Sequence, residues 1–141
     1  MRKLTALPLL FLLMFSACSA VKDYPMRAAG FSVTKFENEQ NGRVEQNFEM
    51  TKKAAYDKTL EIISDLRARV THKSFSRGYI VAFDFSKSFD YCLDSTEAAF
   101  FIEELPGGLV KISVVSNNSL LARNLADKYF MLMNERVKSG E

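Results

Sequence analysis

His72 is the only histidine in the 141-residue chain. That excludes zinc sites built on histidine pairs and confines any His-based triad or proton shuttle to this one position, which reads as part of a strand rather than a catalytic centre. The nucleophile elbow G-x-S-x-G, the phosphate-cradling P-loop, the G-x-G-x-x-G turn and the redox pair C-x-x-C are all missing from the sequence. Hydrolase, nucleotide and thioredoxin chemistry therefore lack their required parts. The chain reads as a non-enzyme without a cofactor.

One constellation of acidic residues stands out. If residues 79 to 85 and 89 to 94 pair as a hairpin across Ser86 to Ser88, then Phe85 faces Phe89, Asp84 faces Asp90, Phe83 faces Tyr91 and Ala82 faces Cys92. Asp84, Asp90 and Asp94 would share one face and the aromatic residues the other. Like charges opposed across a hairpin are mildly destabilising, so a basic partner surface or a cation would suit that face, unless Lys73, Lys87 or Lys111 already neutralises it. Calcium takes about six to eight oxygen ligands, more than three carboxylates on a flat sheet supply, and no metal is expected. The aromatic side, with Tyr79, Phe83, Phe85, Phe89 and Tyr91, is either core or the wall of a site for an apolar ligand. Cys92 lies in an apolar stretch and reads as a small buried hydrophobe, with intermolecular pairing as the alternative.

The elements that would position these residues follow from periodicity. Phe31, Val33 and Phe36 suggest a first extended piece. Asn41-Gly42 is a hairpin signal leading into Val44 to Met50, where apolar Val44, Phe48 and Met50 alternate with Glu45, Asn47 and Glu49 as in a half-buried strand. Thr51 suits the cap of a helix whose face is Tyr56, Leu60, Ile63, Leu66 and Val70, with Asp65 and Arg69 as an ion pair four apart and Arg67 and Arg69 at its carbonyl end. Strand-like pieces follow at 70–76, 79–85, 89–94, 97–105 and 109–116, broken by turn residues at Arg77-Gly78, Ser86 to Ser88, Asp94-Ser95 and Pro106-Gly107-Gly108. Asn117-Asn118 offers a cap for a last helix with Leu121, Leu125, Tyr129 and Leu132 as its stripe and Arg136 and Lys138 near its end. On a wheel of about 100° per residue, Leu120 and Met131 fall opposite that stripe, beside Arg123 and Asp127, where they could seat a partner.

The expected fold is α+β. It has two layers: an antiparallel sheet of about five to six strands with two helices packed on one face, in the order β-α-β-β-β-β-α. A single domain over 31–138 is expected.

Met1 to Ala20 has the three parts of an export signal: basic Arg2 and Lys3, an apolar run from Leu4 to Phe15, and small residues around Ser16, Ala17, Ser19 and Ala20. The run is shorter than the roughly twenty residues that cross a bilayer core as a helix, and Pro8 interrupts it. Its end, Phe15-Ser16-Ala17-Cys18, resembles the lipobox of bacterial lipoproteins, with Phe15 where that family usually has Leu. The resemblance implies a signal peptide over 1–17, acylation of Cys18 as the first residue of the mature chain, and a tether over 18–30. Ser19 after the cysteine implies the outer membrane, facing the periplasm. A secretory signal cut after Ala20 is the alternative, and it would discard Cys18. The order of the later elements also looks like that of small envelope lipoproteins of unknown function and of helix-grip modules in outer-membrane assembly lipoproteins.

Arg2 and Lys3 account for the whole formal charge of +2, and the remainder carries as many basic as acidic residues. Nucleic-acid binding, which needs a surplus of Lys and Arg, is not expected. The leading functional reading is a structural or protein-interaction lipoprotein, held to a membrane by its lipid and contacting an envelope protein. The alternative is a carrier of a small apolar ligand or lipid.

Overall fold

The hairpin of β4 (Ala98–Leu105) and β5 (Leu109–Val115) lies inside the sheet and carries the core. In it Leu105 pairs with Leu109 across the three-residue loop Pro106-Gly107-Gly108, whose glycines have φ of 85° and 79°, a region closed to most side chains. The computed structural model describes residues 31–85, 89 and 97–139. Apart from the first two residues of its N-terminal helix, these belong to a unit running from Val33 to Glu141.

The remaining elements are α1 (Phe31–Glu37), β1 (Arg43–Glu49), α2 (Lys52–Asp65), β2 (Arg69–Ser74), β3 (Tyr79–Phe83) and α3 (Ser119–Ser139). The five strands stand in the order β1-β5-β4-β3-β2, every neighbouring pair antiparallel. Strands β2 to β5 form a meander. β1 closes the sheet beside β5, in register from Arg43 opposite Val115 to Glu49 opposite Leu109. The fold is α+β, and from β1 onward the elements follow the order that periodicity predicts.

Helix α2 carries the chain from the β1 edge of the sheet to the β2 edge. Thr51 caps it by accepting the Ala54 amide at 3.2 Å. Its buried residues are Ala55, Tyr56, Thr59, Ile62 and Ile63. It ends at Asp65, because Arg67 turns left-handed with φ of 55°. The Ala68 amide then donates to the Ile63 carbonyl at 3.2 Å and that of Arg67 to Ser64 at 2.9 Å, a Schellman ending with Arg where Gly is usual. Val70 is therefore not on the helical face but in β2, 38% exposed. The expected pair of Asp65 with Arg69 does not form: Arg69 lies 4.0 Å from Asp84, and Asp65 receives Arg136 from α3.

Asn118 caps α3, its Oδ1 accepting the amides of Leu120 and Leu121 at 3.0 and 3.1 Å. Leu121, Leu125 and Tyr129 are buried as expected, joined by Ala122, Ala126, Phe130 and Met133, while Leu132 is half-buried. Both long helices contribute to one core on one face of the sheet, together with Phe48, Ile80, Phe100, Ile102, Ile112 and Val114. The rings of Phe100 and Tyr129 lie 5.0 Å apart and those of Tyr129 and Phe130 5.3 Å, favourable offset and edge-on distances.

Two expectations about the chain before β1 are corrected. Residues Phe31–Glu37 are helical, not extended; Val33 and Phe36, three apart, are both fully buried against Val81, Ala99 and Val115. Those three face away from the α2–α3 core, so a short helix covers part of the second face and the two-layer, two-helix description is incomplete. Asn41-Gly42 does not join two paired strands. Gly42 is needed for close approach: its carbonyl accepts the Ser116 amide at 2.9 Å, and a Cβ there would lie 1.9 Å from the Ser116 carbonyl oxygen.

Tyr129 is wholly enclosed, and its hydroxyl lies 2.7 Å from Thr59 Oγ1. Thr59 already gives its one proton to the Ala55 carbonyl at 2.6 Å, so Tyr129 is the donor of the pair. Burial pushes the Tyr129 phenol well above its ordinary value, against the smaller opposing effects of Thr59 and Arg136. The folded protein thus keeps a proton that the unfolded chain releases near pH 10, and stability falls as pH rises through that range. Tyr129→Phe is expected to lower stability by about 1 kcal/mol at neutral pH and to flatten its alkaline decline, read by urea denaturation across pH. Arg67→Gly relieves the left-handed turn and should raise stability by roughly 0.5–1 kcal/mol in the same assay.

Candidate functional site

Helix α3 is long enough to bury one side and present the other. Leu120 and Met131 are 55% and 52% exposed, on the side opposite the buried stripe. Eleven residues apart, they stand about 16 Å from each other along the axis. Asn124, Asp127 and Lys128 lie between them, and with Met131 and Phe89 they line a shallow groove of about 420 Å³. Lys128 Nζ sits 5.6 Å from the Phe89 ring centroid, within cation–π range. The groove thus joins an apolar floor to polar and charged residues of both signs. Phe89 is the element of this face that helix periodicity could not supply, since it comes from a distant part of the chain.

The hairpin expected to carry the acidic face does not form over β3. β3 is bonded to β2 on one side and β4 on the other, with Ala82 opposite both Val70 and Ala98, so no edge is left for residues 89–94 to pair with it. Phe89 lies outside any strand; Asp90 and Asp94, like Tyr91 and Cys92, fall outside the described residues. Asp84 follows the end of β3 with φ of 69°. This left-handed step breaks strand alternation: Phe83 is 37% exposed whereas Phe85 is fully buried in the core. Tyr79 packs at the margin of the α1 contact on the other face, so the five aromatic residues do not share one wall. Among the described residues no three of His, Cys, Asp and Glu cluster closely enough to hold a metal ion. His72 is half-buried in β2.

The second face of the sheet carries a polar row beside α1. Ser113 donates to Glu45 at 2.7 Å. That bond, with Lys111 and Arg43 nearby, holds the Glu45 carboxyl below its ordinary value against the opposing effect of burial. Lys111 in turn pairs with Glu103 at 2.7 Å. Arg43 does more than pair with Glu45: its guanidinium donates to the carbonyls of Phe36, Glu37 and Glu39 at 3.2, 3.0 and 3.3 Å and lies 5.6 Å from the Phe101 ring centroid. It closes the carbonyl end of α1 and fastens that helix to the sheet. These groups satisfy one another and leave no reactive nucleophile–base pair.

The residues singled out for lipidation and tethering, Cys18 with residues 1–30, lie outside the described residues. No helix among the described residues is long and apolar enough to cross a membrane. No protein-family description matches this sequence, and no curated protein matches it.

Because Leu120 and Met131 bury little against the domain, replacing both by Glu should shift stability by no more than about 0.5 kcal/mol per site. Leu125→Ala on the buried side should cost about 2–5 kcal/mol. Urea denaturation of the two variants checks whether the outer face of α3 is dispensable for folding.

Proposed function

We propose that this protein is a non-catalytic lipoprotein of the cell envelope, anchored through acylated Cys18 and contacting another envelope protein through the outer face of α3. The observation that carries the reading is the N-terminal sequence: a basic start, an apolar run and Phe15-Ser16-Ala17-Cys18. Acyl chains contribute about 0.8 kcal/mol for each buried methylene, so two or three of them hold a protein at a bilayer durably where one does not. Thirteen residues lead from Cys18 to Phe31, a reach of at most about 45 Å when fully extended. The domain would therefore work close to the membrane that holds it. Ser19 favours the outer membrane and a periplasmic position.

Two features favour a protein contact over carriage of an apolar ligand. Of the aromatic residues that could have walled a ligand site, Tyr79 packs on the second face of the sheet whereas Phe85 and Phe89 pack with the core on the first. Phe85, Phe100 and Tyr129, all fully buried, pack against one another between the sheet and the helices. The groove on α3, by contrast, is open and of mixed character.

The first test is the intact mass of protein purified from membranes, wild type against Cys18→Ala. The expected result is a chain beginning at Cys18 and carrying two or three acyl chains, with both the lipid and the membrane association lost in the variant. A chain beginning at Val21 without lipid would overturn the anchor. The contact is tested by cross-linking in intact cells from a photoreactive residue at Asn124. A discrete adduct that disappears when Leu120 and Met131 are both Glu is expected; an adduct pattern unchanged by those substitutions would overturn the α3 assignment.

A further inference from the structure

Phe75 sits in the turn between β2 and β3, and the turn itself does not need it. Gly78 supplies the positive φ of 68°, and the Ser74 hydroxyl accepts the Arg77 amide at 3.3 Å. Yet a phenyl ring stands there 49% exposed and held in place. Tyr56 meets it edge-on at 5.3 Å. Lys52 Nζ lies 5.7 Å from its centroid while donating to the Ser76 carbonyl at 3.3 Å.

Basic residues outnumber acidic ones at this end of the hairpin. Residues 70–78 carry Lys73 and Arg77 and no acid, Lys52 and Lys53 open α2 beside them, Asp57 lines the hollow next to Phe75, and Arg69 stands at the far end of the hairpin opposite Phe83. Asp84, Glu37 and Asp57 pair with Arg69, Arg77 and Lys53 respectively, which leaves a local surplus of positive charge in a chain that is neutral once Arg2 and Lys3 are set aside. The first turn of α2 has no acidic residue. Two lysines there oppose the helix dipole, which favours anions at that end. Within the fold Lys53 is answered by Asp57 and Lys52 by the Ser76 carbonyl and the Phe75 ring; an anionic surface would favour both charges at that end further.

We propose that the Phe75 end of the β2–β3 hairpin docks on an anionic lipid surface, the ring entering the interface and the surrounding basic side chains facing lipid phosphates. An added β-strand is disfavoured as the occupant: Lys73 on the edge and the irregular pairing between Val70 and His72 are devices that keep strands from joining. The contact is weak by itself, each basic residue near an anionic leaflet being worth about fivefold in affinity. It rests on the anchored reading above, since a short tether makes the second contact effectively intramolecular. The lipid would then hold the domain and the hairpin would orient it.

The chain has no tryptophan, so Phe75→Trp introduces a single fluorescent reporter at the tip of the hairpin. The full-length lipidated protein is reconstituted in phosphatidylcholine vesicles with and without phosphatidylglycerol, with bromine on the acyl chains. The expected result is a blue shift and quenching of the introduced indole in the anionic vesicles, with docking weakened by about 25-fold or more in Lys52→Glu with Lys73→Glu. Indole emission that ignores lipid charge and bromine, in protein that floats with the vesicles, would overturn docking while leaving the anchor standing. Protein that does not float would overturn the anchor, and quenching of the same reporter on titration with excess anionic vesicles would then decide docking alone. Quenching in a Leu120→Trp variant but not in the Phe75→Trp variant would put the lipid against α3 and overturn the assignment.

Discussion

A phenol enclosed on every side must still donate its hydrogen bond, and in this domain Tyr129 has Thr59 to receive it. An unsatisfied buried hydroxyl would cost about 1–3 kcal/mol, so the pair sets the rotation of α2 against α3. Arg136 repeats the linkage at the other end of the contact, where it pairs with Asp65 and lies 3.9 Å from Glu61. With that rotation set, the two helices lay their apolar sides on the same face of the sheet. What α3 shows to solvent is then no longer open to choice: Leu120, Met131 and the polar residues between them must face outward. The candidate contact face is a consequence of how the core is closed.

Much of this architecture is written in short-range pattern. The alternation in Val44 to Met50, the capped stripe of α2, the paired glycines before Leu109 and the Asn118 cap each specify an element locally, and each is found where pattern places it. Three features escape because their causes are distant in sequence. Arg136 and Asp65 lie 71 residues apart, so nothing near Asp65 warned that it would leave Arg69. The left-handed Asp84 has no local signature, and it sends Phe85 into the core where alternation would have kept it beside Phe83. Helix α1 is ambiguous in itself, because Phe31, Val33 and Phe36 fit a strand nearly as well as a helix.

A signal for α1 was nevertheless present elsewhere. Ile80-Val81-Ala82 and Ala98-Ala99-Phe100 are unbroken apolar runs, and every residue in them is fully buried. A strand open to water on one face alternates; one that does not is covered on both. The small side chains of Ala99, Val81 and Val115 make the shallow bed into which Val33 and Phe36 fit. The exposed β2 is the counterpart: Arg69 to Ser74 contains no fully buried residue, as suits an edge that must stay unpaired. The Phe75 turn rides on that edge and was invisible to reasoning about cores, since its residues matter by not being buried.

Helix α1 also bears on how an anchored domain would withstand being held. A pull applied directly to β1 would act on an edge strand, whose bonds to β5 can open one after another. The chain enters instead through a helix whose buried side chains rest on Val81, Ala99 and Val115, which belong to the three inner strands. Arg43 binds the carbonyls at the helix end to the first residue of β1, and Arg77 holds Glu37 from the far side at 3.4 Å. The N-terminal helix is thereby held to β3, β4 and β5 as well as to the start of β1. The same contacts that complete the second face of the sheet thus tie the N-terminal junction to several strands at once, whereas β2 and the Leu120 and Met131 side of α3 stay exposed.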